Sequence, residues 1–67
     1  MFGIEWLKNG LLVEKETSGA KAEAEAISSA RRRAPEVAAR LPGREPDSFR
    51  LSDATGKAIG VYQLGGR

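Results

Sequence analysis

The strongest constraint in this sequence is the dipeptide Asn9-Gly10, which separates two segments with strand character. Residues 2–7 alternate between apolar and other side chains, which is the two-residue period of a β-strand, and residues 11–16 follow the dipeptide as a second strand. Asparagine and glycine tolerate the positive φ angles that both central positions of a type I′ turn require. The sequence therefore predicts a tight β-hairpin with Trp6 opposite Val13 and Glu5 opposite Glu14.

This register assigns the side chains of the first hairpin to two faces, because directly opposed residues share a face. The predicted core face carries Phe2, Ile4, Trp6, Leu11 and Val13. The predicted outer face carries Gly3, Glu5, Leu7, Leu12, Glu14 and Glu16.

A second hairpin is predicted from Asp47 onward. The turn Asp53-Ala54-Thr55-Gly56 has aspartate at the first position of a type I turn and glycine at the fourth, which suits a three-residue loop with a glycine bulge. In that register Leu51 faces Ile59 and Phe49 faces Val61, so that four apolar side chains share one face. The other face then carries Arg50, Ser52, Ala58, Gly60 and Tyr62.

The segment between the hairpins is predicted to be helical, because residues 20–34 are rich in alanine, glutamate, lysine and arginine. Ser18 is a candidate N-cap. Pro35 interrupts the helical pattern, and the preferred interpretation ends the helix near Arg33 and begins a short second helix at Pro35. A kinked single helix is the alternative. In one straight helix Arg31 would fall within the apolar stripe, which either a break or a snorkelling side chain would relieve.

The order of these elements predicts an α+β fold, ββαββ, with a four-stranded sheet and one Pro-interrupted helix packed on one face. Residues 1–64 form the expected single domain, and residues 65–67 a flexible tail. The preferred strand order places the first and last strands side by side and parallel, as in a β-grasp-like arrangement, and the alternative places the first strand beside the third. The predicted core consists of Phe2, Ile4, Trp6, Leu11, Val13, Ile27, Val37, Leu41, Phe49, Leu51, Ile59 and Val61.

The composition argues against most catalytic chemistry. The 67 residues include no cysteine and no histidine, so disulfides, the common zinc sites and histidine-based general acid–base catalysis are not available. A carboxylate pair, Glu5 and Glu14, is the remaining candidate, and a solvated pair is the simpler interpretation. We expect no enzyme activity, no cofactor and no metal. The sequence shows no signal-peptide pattern and no apolar stretch of about 20 residues, so a soluble cytoplasmic protein without a membrane segment is expected.

The arginines supply one functional alternative. The net charge is only +2, but Arg31-Arg32-Arg33 are consecutive, and Arg40 and Arg44 follow. A nucleic-acid-binding accessory protein would contact phosphate through Arg32, Arg33, Arg40 and Arg44. Against this, consecutive helical residues point about 100° apart, and Glu36 is spaced to pair with Arg32 and Arg40.

The outer face of the predicted sheet is the preferred functional surface. It would group four large side chains, Leu7, Leu12, Tyr62 and Leu64, and exposed apolar patches often mark contacts. A core of this size rarely contributes more than about 3–5 kcal/mol. The sequence therefore predicts a non-enzymatic protein-interaction or structural module that forms a homodimer or binds a protein partner through this face or an edge strand.

Two resemblances accompany this interpretation. Residues 22–34 and 48–57 resemble parts of short bacterial proteins of unknown function that combine a hairpin, an alanine-rich helix and a second hairpin, which implies the fold but no activity. The ββαββ order and the ending Leu64-Gly65-Gly66 are similar to ubiquitin-like sulfur carriers, which implies a carrier function through Gly65-Gly66. Arg67 departs from that pattern, because such carriers need a free terminal glycine.

Overall fold

In a computed structural model, which describes residues 1–64, four strands form one sheet and a single helix covers one of its faces. The elements are β1 (Phe2–Lys8), β2 (Leu11–Ser18), α1 (Glu23–Arg40), β3 (Ser48–Ser52) and β4 (Ala58–Gln63). The predicted α+β class and ββαββ order are thereby confirmed. The predicted flexible tail, residues 65–67, lies outside the described residues.

The sheet has the order β2-β1-β3-β4, and every neighbouring pair is antiparallel. The β-grasp-like arrangement is therefore wrong, and the alternative with the first strand beside the third is correct. The central pair of strands carries the largest apolar side chains: Trp6 lies opposite Phe49 and Ile4 opposite Leu51. All four are at most 1% exposed. This order places them at the middle of the sheet, where the helix covers them and burial is most complete.

Both turns have the predicted geometry. Asn9 and Gly10 adopt φ angles of 52° and 81°, as a type I′ turn requires. In the second turn the Gly56 amide donates to the Asp53 carbonyl at 2.9 Å, and Gly56 has a φ of 92°. The local chemistry of the turn residues therefore determined both loops.

Each hairpin contains a β-bulge close to its turn, and the predicted register holds only between the turn and the bulge. Leu7 lies opposite Leu12 as predicted, but the next pair is Trp6 with Glu14, which leaves Val13 as the extra residue. In the second hairpin Ser52 lies opposite Ala58, but the next pair is Leu51 with Gly60. The predicted pairs Trp6–Val13, Glu5–Glu14, Leu51–Ile59 and Phe49–Val61 are therefore wrong.

The bulges exchange the faces of the residues beyond them, since one extra residue reverses the alternation. Val13 and Ile59 still pack against the core, as does Tyr62, which was predicted on the outer face. Val61 was predicted in the core and is instead 54% exposed, and Leu11, beside the turn, is 71% exposed. The buried cluster consists of Ile4, Trp6, Ala26, Ala30, Val37, Leu41, Phe49 and Leu51.

The helix continues through Pro35, so the predicted break is wrong. Pro35 is exposed, on the side of α1 away from the sheet, while Ala26, Ala30 and Val37 are buried. Ser18 does not cap α1: its hydroxyl accepts a hydrogen bond from the Ala20 amide, and the helix begins after Ala22 without a side-chain cap.

Arg31 keeps its charged end out of the apolar stripe by snorkelling, which is the second of the two solutions predicted from the sequence. Its guanidinium lies 5.9 Å from the centre of the Phe49 ring and donates a hydrogen bond to the Gln63 carbonyl at 2.8 Å. Within residues 1–64, no helix has the length and apolar character needed to cross a membrane.

Candidate protein-interaction surface

Two glutamates of β2 face the helix, because the bulge at Val13 turns them to that side of the sheet. Glu16 accepts hydrogen bonds from the Trp6 indole at 3.1 Å and from Arg33 at 3.0 and 2.8 Å. The Glu16 carboxylate raises the pKa of Arg33, first through this hydrogen bond and then through its charge. Glu14 pairs with Arg40 at 2.8 Å. These ion pairs tie the helix to an edge strand.

The carboxylate pair considered from the sequence does not form. Glu14 lies on the helix side, whereas Glu5 lies on the outer face opposite Lys15 on one strand and Arg50 on the other. Glu5 forms an ion pair with Arg50. Each of the two glutamates therefore pairs with an arginine, and the two carboxylates lie on opposite faces of the sheet.

The four arginines of the nucleic-acid hypothesis do not form one free surface. Arg33 pairs with Glu16 and Glu36, and Arg40 pairs with Glu14. Within residues 1–64, Arg32 and Arg44 are exposed and form no ion pair. Half of the predicted cationic cluster is therefore neutralised by carboxylates of the same fold.

The four side chains of the predicted apolar patch are also divided between environments. Leu12 is on the outer face and 53% exposed, but Leu7 on the same face is buried. Tyr62 and Leu64 pack against the core cluster on the helix side, and the Tyr62 ring lies 5.4 Å from that of Phe49. The grouping predicted for the outer face is therefore not present.

The outer face instead carries a row of charges that runs across the sheet. The row consists of three charged neighbours, Lys15 on β2, Glu5 on β1 and Arg50 on β3. The next neighbour, on β4, is the uncharged Val61. Exposed apolar area remains at the two sides of the face, at Leu12 on β2 and at Val61 on β4. The apolar contacts available to a partner on this face are therefore at the edges of the sheet.

A shallow cleft of about 530 Å³ lies at the end of the sheet where β1 begins. Its lining includes three residues that are neighbours across the sheet, Thr17, Gly3 and Ser52, and the turn residue Asp53. Among the described residues, no three acidic side chains converge as a metal-binding group.

The two edge strands differ in charge. Each edge strand contains one bulge, at Val13 of β2 and at Ile59 of β4, but β2 also carries Glu14, Lys15 and Glu16, whose charges discourage pairing with another strand. β4, with the sequence Ala-Ile-Gly-Val-Tyr-Gln, carries no charged side chain. The edge of β4 is thus the less protected of the two.

The backbone of β4 presents hydrogen-bonding groups to its open side. The Leu64 amide donates to the Asp47 carbonyl toward β3, whereas the Gln63 carbonyl accepts from Arg31 rather than from β3. Successive residues of an antiparallel strand point to opposite neighbours, so the amide and carbonyl of Val61 point to the same open side as those of Gln63. An incoming strand could pair with these groups.

Val61 is the residue of this edge that the sequence did not single out as a candidate, and Arg31 was considered only within the arginine cluster of the nucleic-acid hypothesis. Val61 was assigned to the core because the bulge at Ile59 was not recognised. Gly60 was the available signal, since a glycine inside a strand often marks a bulge. Here the Tyr62 hydroxyl lies 3.1 Å from where a Cβ on Gly60 would be.

Comparison with known proteins finds no match: no family model, curated protein or solved structure matches this chain.

Proposed function

We propose that this protein is a small, non-enzymatic interaction module that binds an extended segment of a partner as an additional strand beside β4. The observation that supports the proposal is the contrast between the two sheet edges. The charged side chains of β2 protect it against pairing, whereas β4 carries no charged side chain and holds Val61 half-exposed. A cytoplasmic location is part of the proposal.

Strand addition uses the two kinds of group that the β4 edge offers. Main-chain hydrogen bonds to Val61 and Gln63 would supply affinity, and a side chain of the incoming strand that contacts Val61 would supply selectivity. Because the sheet is already formed and the core-facing side chains at the middle of its central strands are buried, the partner alone would need to become ordered.

The two other functions considered from the sequence have less support. The arginines proposed for phosphate contact include Arg33 and Arg40, which already bind carboxylates. The carrier hypothesis depends on Gly65-Gly66, which lie outside the described residues, and the β-grasp-like strand order expected with it is absent. Neither is proposed further.

Two matched substitutions would test the site. Val61 and Leu12 are almost equally exposed on the outer face, at 54% and 53%, and lie on opposite edge strands. We would select a random peptide library on the wild type and measure the binding of selected peptides to Val61→Lys and Leu12→Lys. Val61→Pro is a further variant: proline removes an amide that faces the open edge, so it blocks pairing without breaking the ladder to β3.

We expect the selected peptides to lose at least about tenfold in affinity for Val61→Lys and Val61→Pro and to keep their affinity for Leu12→Lys. They should protect the Val61 and Gln63 amides from hydrogen exchange. A library that yields no peptide able to distinguish the wild type from Val61→Pro would contradict the proposal, and so would protection located on β2.

A further inference from the structure

The β4 edge has a cation near each end, and the strand between them carries no carboxylate. Lys57 precedes the strand, and its side chain is exposed. At the other end the Arg31 guanidinium reaches from the helix to the Gln63 carbonyl. Arg50, the strand β3 neighbour of Val61, is a third cation close to this edge, although Glu5 neutralises it.

The Arg31 guanidinium donates to a carbonyl group that an incoming strand would also need as an acceptor. Its hydrogen bond to the Gln63 carbonyl, 2.8 Å long, takes the acceptor that would otherwise receive an amide of the added strand. Pairing along the whole of β4 brings an amide to a carbonyl oxygen that already accepts from the guanidinium, and a second acceptor for the guanidinium would leave this oxygen to that amide. The guanidinium also lies 5.9 Å from the centre of the Phe49 ring, which places it beside the edge as a cation that an acceptor on the added strand could bind.

We propose that the partner of the β4 edge is an acidic extended segment of another protein. This segment has an apolar side chain beside Val61 and a carboxylate that accepts the hydrogen bond from Arg31. This inference depends on the proposed function and specifies its partner. The carboxylate replaces the Gln63 carbonyl as the acceptor of Arg31, so that neither the guanidinium nor the carbonyl loses a hydrogen bond when the strand is added. A second carboxylate at the other end of the segment would lie near Lys57.

The same charges disfavour a second copy of this chain as the occupant. Antiparallel pairing of two β4 strands brings the Lys57 end of one copy beside the Arg31 end of the other. Like charges on neighbouring strands are destabilising, and β4 itself contributes no carboxylate to offset them.

The test compares two synthetic peptides that differ only in charge. Both alternate valine with threonine, and one has glutamate near each end where the other has glutamine. We expect the acidic peptide to bind the wild type about 3- to 10-fold more tightly at low ionic strength, with the difference decreasing as salt is added. Binding of both peptides should be lost in Val61→Pro.

Arg31→Ala and Arg32→Ala form the matched pair of variants. Each removes one arginine of the same helix, but only Arg31 contacts the β4 edge. We expect the preference for the acidic peptide to fall to within about twofold in Arg31→Ala and to persist in Arg32→Ala. Circular dichroism of both variants would verify that the helix is intact.

The outcomes separate this inference from the proposed function. Equal binding of the acidic and neutral peptides, both abolished by Val61→Pro, would overturn the acidic partner and leave strand addition supported. A preference that survives Arg31→Ala would overturn it as well. Sedimentation that reveals a concentration-dependent dimer, abolished by Val61→Pro, would identify a second copy as the occupant and overturn the acidic partner.

Discussion

The Arg33 guanidinium donates two hydrogen bonds to the Glu16 carboxylate, from Nε at 3.0 Å and from Nη2 at 2.8 Å, and thereby ties the middle of the helix to edge strand β2. The same carboxylate accepts from the indole of Trp6, whose side chain is completely buried. Glu16 therefore accepts hydrogen bonds from the buried Trp6 indole and from the Arg33 guanidinium at the same time.

We expect Glu16→Ala to destabilise the protein by about 1–3 kcal/mol, because the buried Trp6 N–H would lose its acceptor. Glu36→Ala is the matched control: Glu36 also pairs with Arg33, but its side chain is 64% exposed, so its loss should cost less than about 0.5 kcal/mol. Urea unfolding followed by tryptophan fluorescence measures both values. Equal costs for the two variants would show that the Trp6 contact contributes nothing.

Gly10 and Gly19 offer a test of backbone conformation without a packing contribution. A Cβ at either position would meet no atom within 4 Å, but only Gly10 has a positive φ, at 81°. Gly10→Ala should therefore destabilise the first hairpin by about 1–2 kcal/mol. Gly19→Ala should be neutral or stabilising by up to about 1 kcal/mol. Thermal unfolding of the two variants gives the comparison, and a neutral Gly10→Ala would argue against the type I′ turn.

Pro35 is expected to lower the stability of the helix that contains it. It cannot donate to the Arg31 carbonyl one turn earlier, and its exposed position makes no core contact that would offset this loss. Pro35→Ala should stabilise the protein by about 1–3 kcal/mol, whereas Ala39→Pro, at another exposed helical position, should destabilise it by a similar or larger amount. Destabilisation by Pro35→Ala in urea unfolding would mean that the proline shapes the helix for packing.

The Asp53 carboxylate should make the second turn sensitive to acid. It accepts hydrogen bonds from the Thr55 hydroxyl at 2.6 Å and from the amides of Thr55 and Lys57 at 2.9 and 3.0 Å. The Thr55 hydroxyl bond first, and then the Lys57 amide, lower the pKa of Asp53 below the usual aspartate value. Since the folded pKa lies below the unfolded pKa, this stabilisation is complete above about pH 4 and is lost as the pH falls through the folded pKa.

An NMR titration of the Asp53 side-chain carbon would measure this pKa directly. Unfolding experiments between pH 2 and 6 should show a smaller acid-induced loss of stability in Asp53→Asn than in the wild type. The pH dependence of stability that remains in Asp53→Asn includes a contribution from Glu45, whose pKa is lowered by hydrogen bonds from its own amide and from that of Gly43. A wild-type Asp53 pKa at or above the unfolded value would contradict the turn geometry.

Several features were predictable because they depend on residues close together in the chain. Asn9-Gly10 and Asp53 to Gly56 determine their turns through φ preferences and local hydrogen bonds, and the alanine-rich segment determines the helix. The candidate site was less predictable. The sequence placed Tyr62 on the outer face and Val61 in the core, and the bulge at Ile59 reverses these two assignments.

By itself the sequence determined the element order, both turn types and most of the apolar residues that are buried. Tertiary structure decided the strand order, the two bulges, the continuous helix through Pro35 and the exposed edge of β4. The physical reason is that turns and helices are specified by nearby residues, whereas a one-residue shift in register changes the face of every residue beyond it. Only contacts with distant partners select between the two registers: Tyr62 with Phe49, and Glu16 with Trp6 and Arg33.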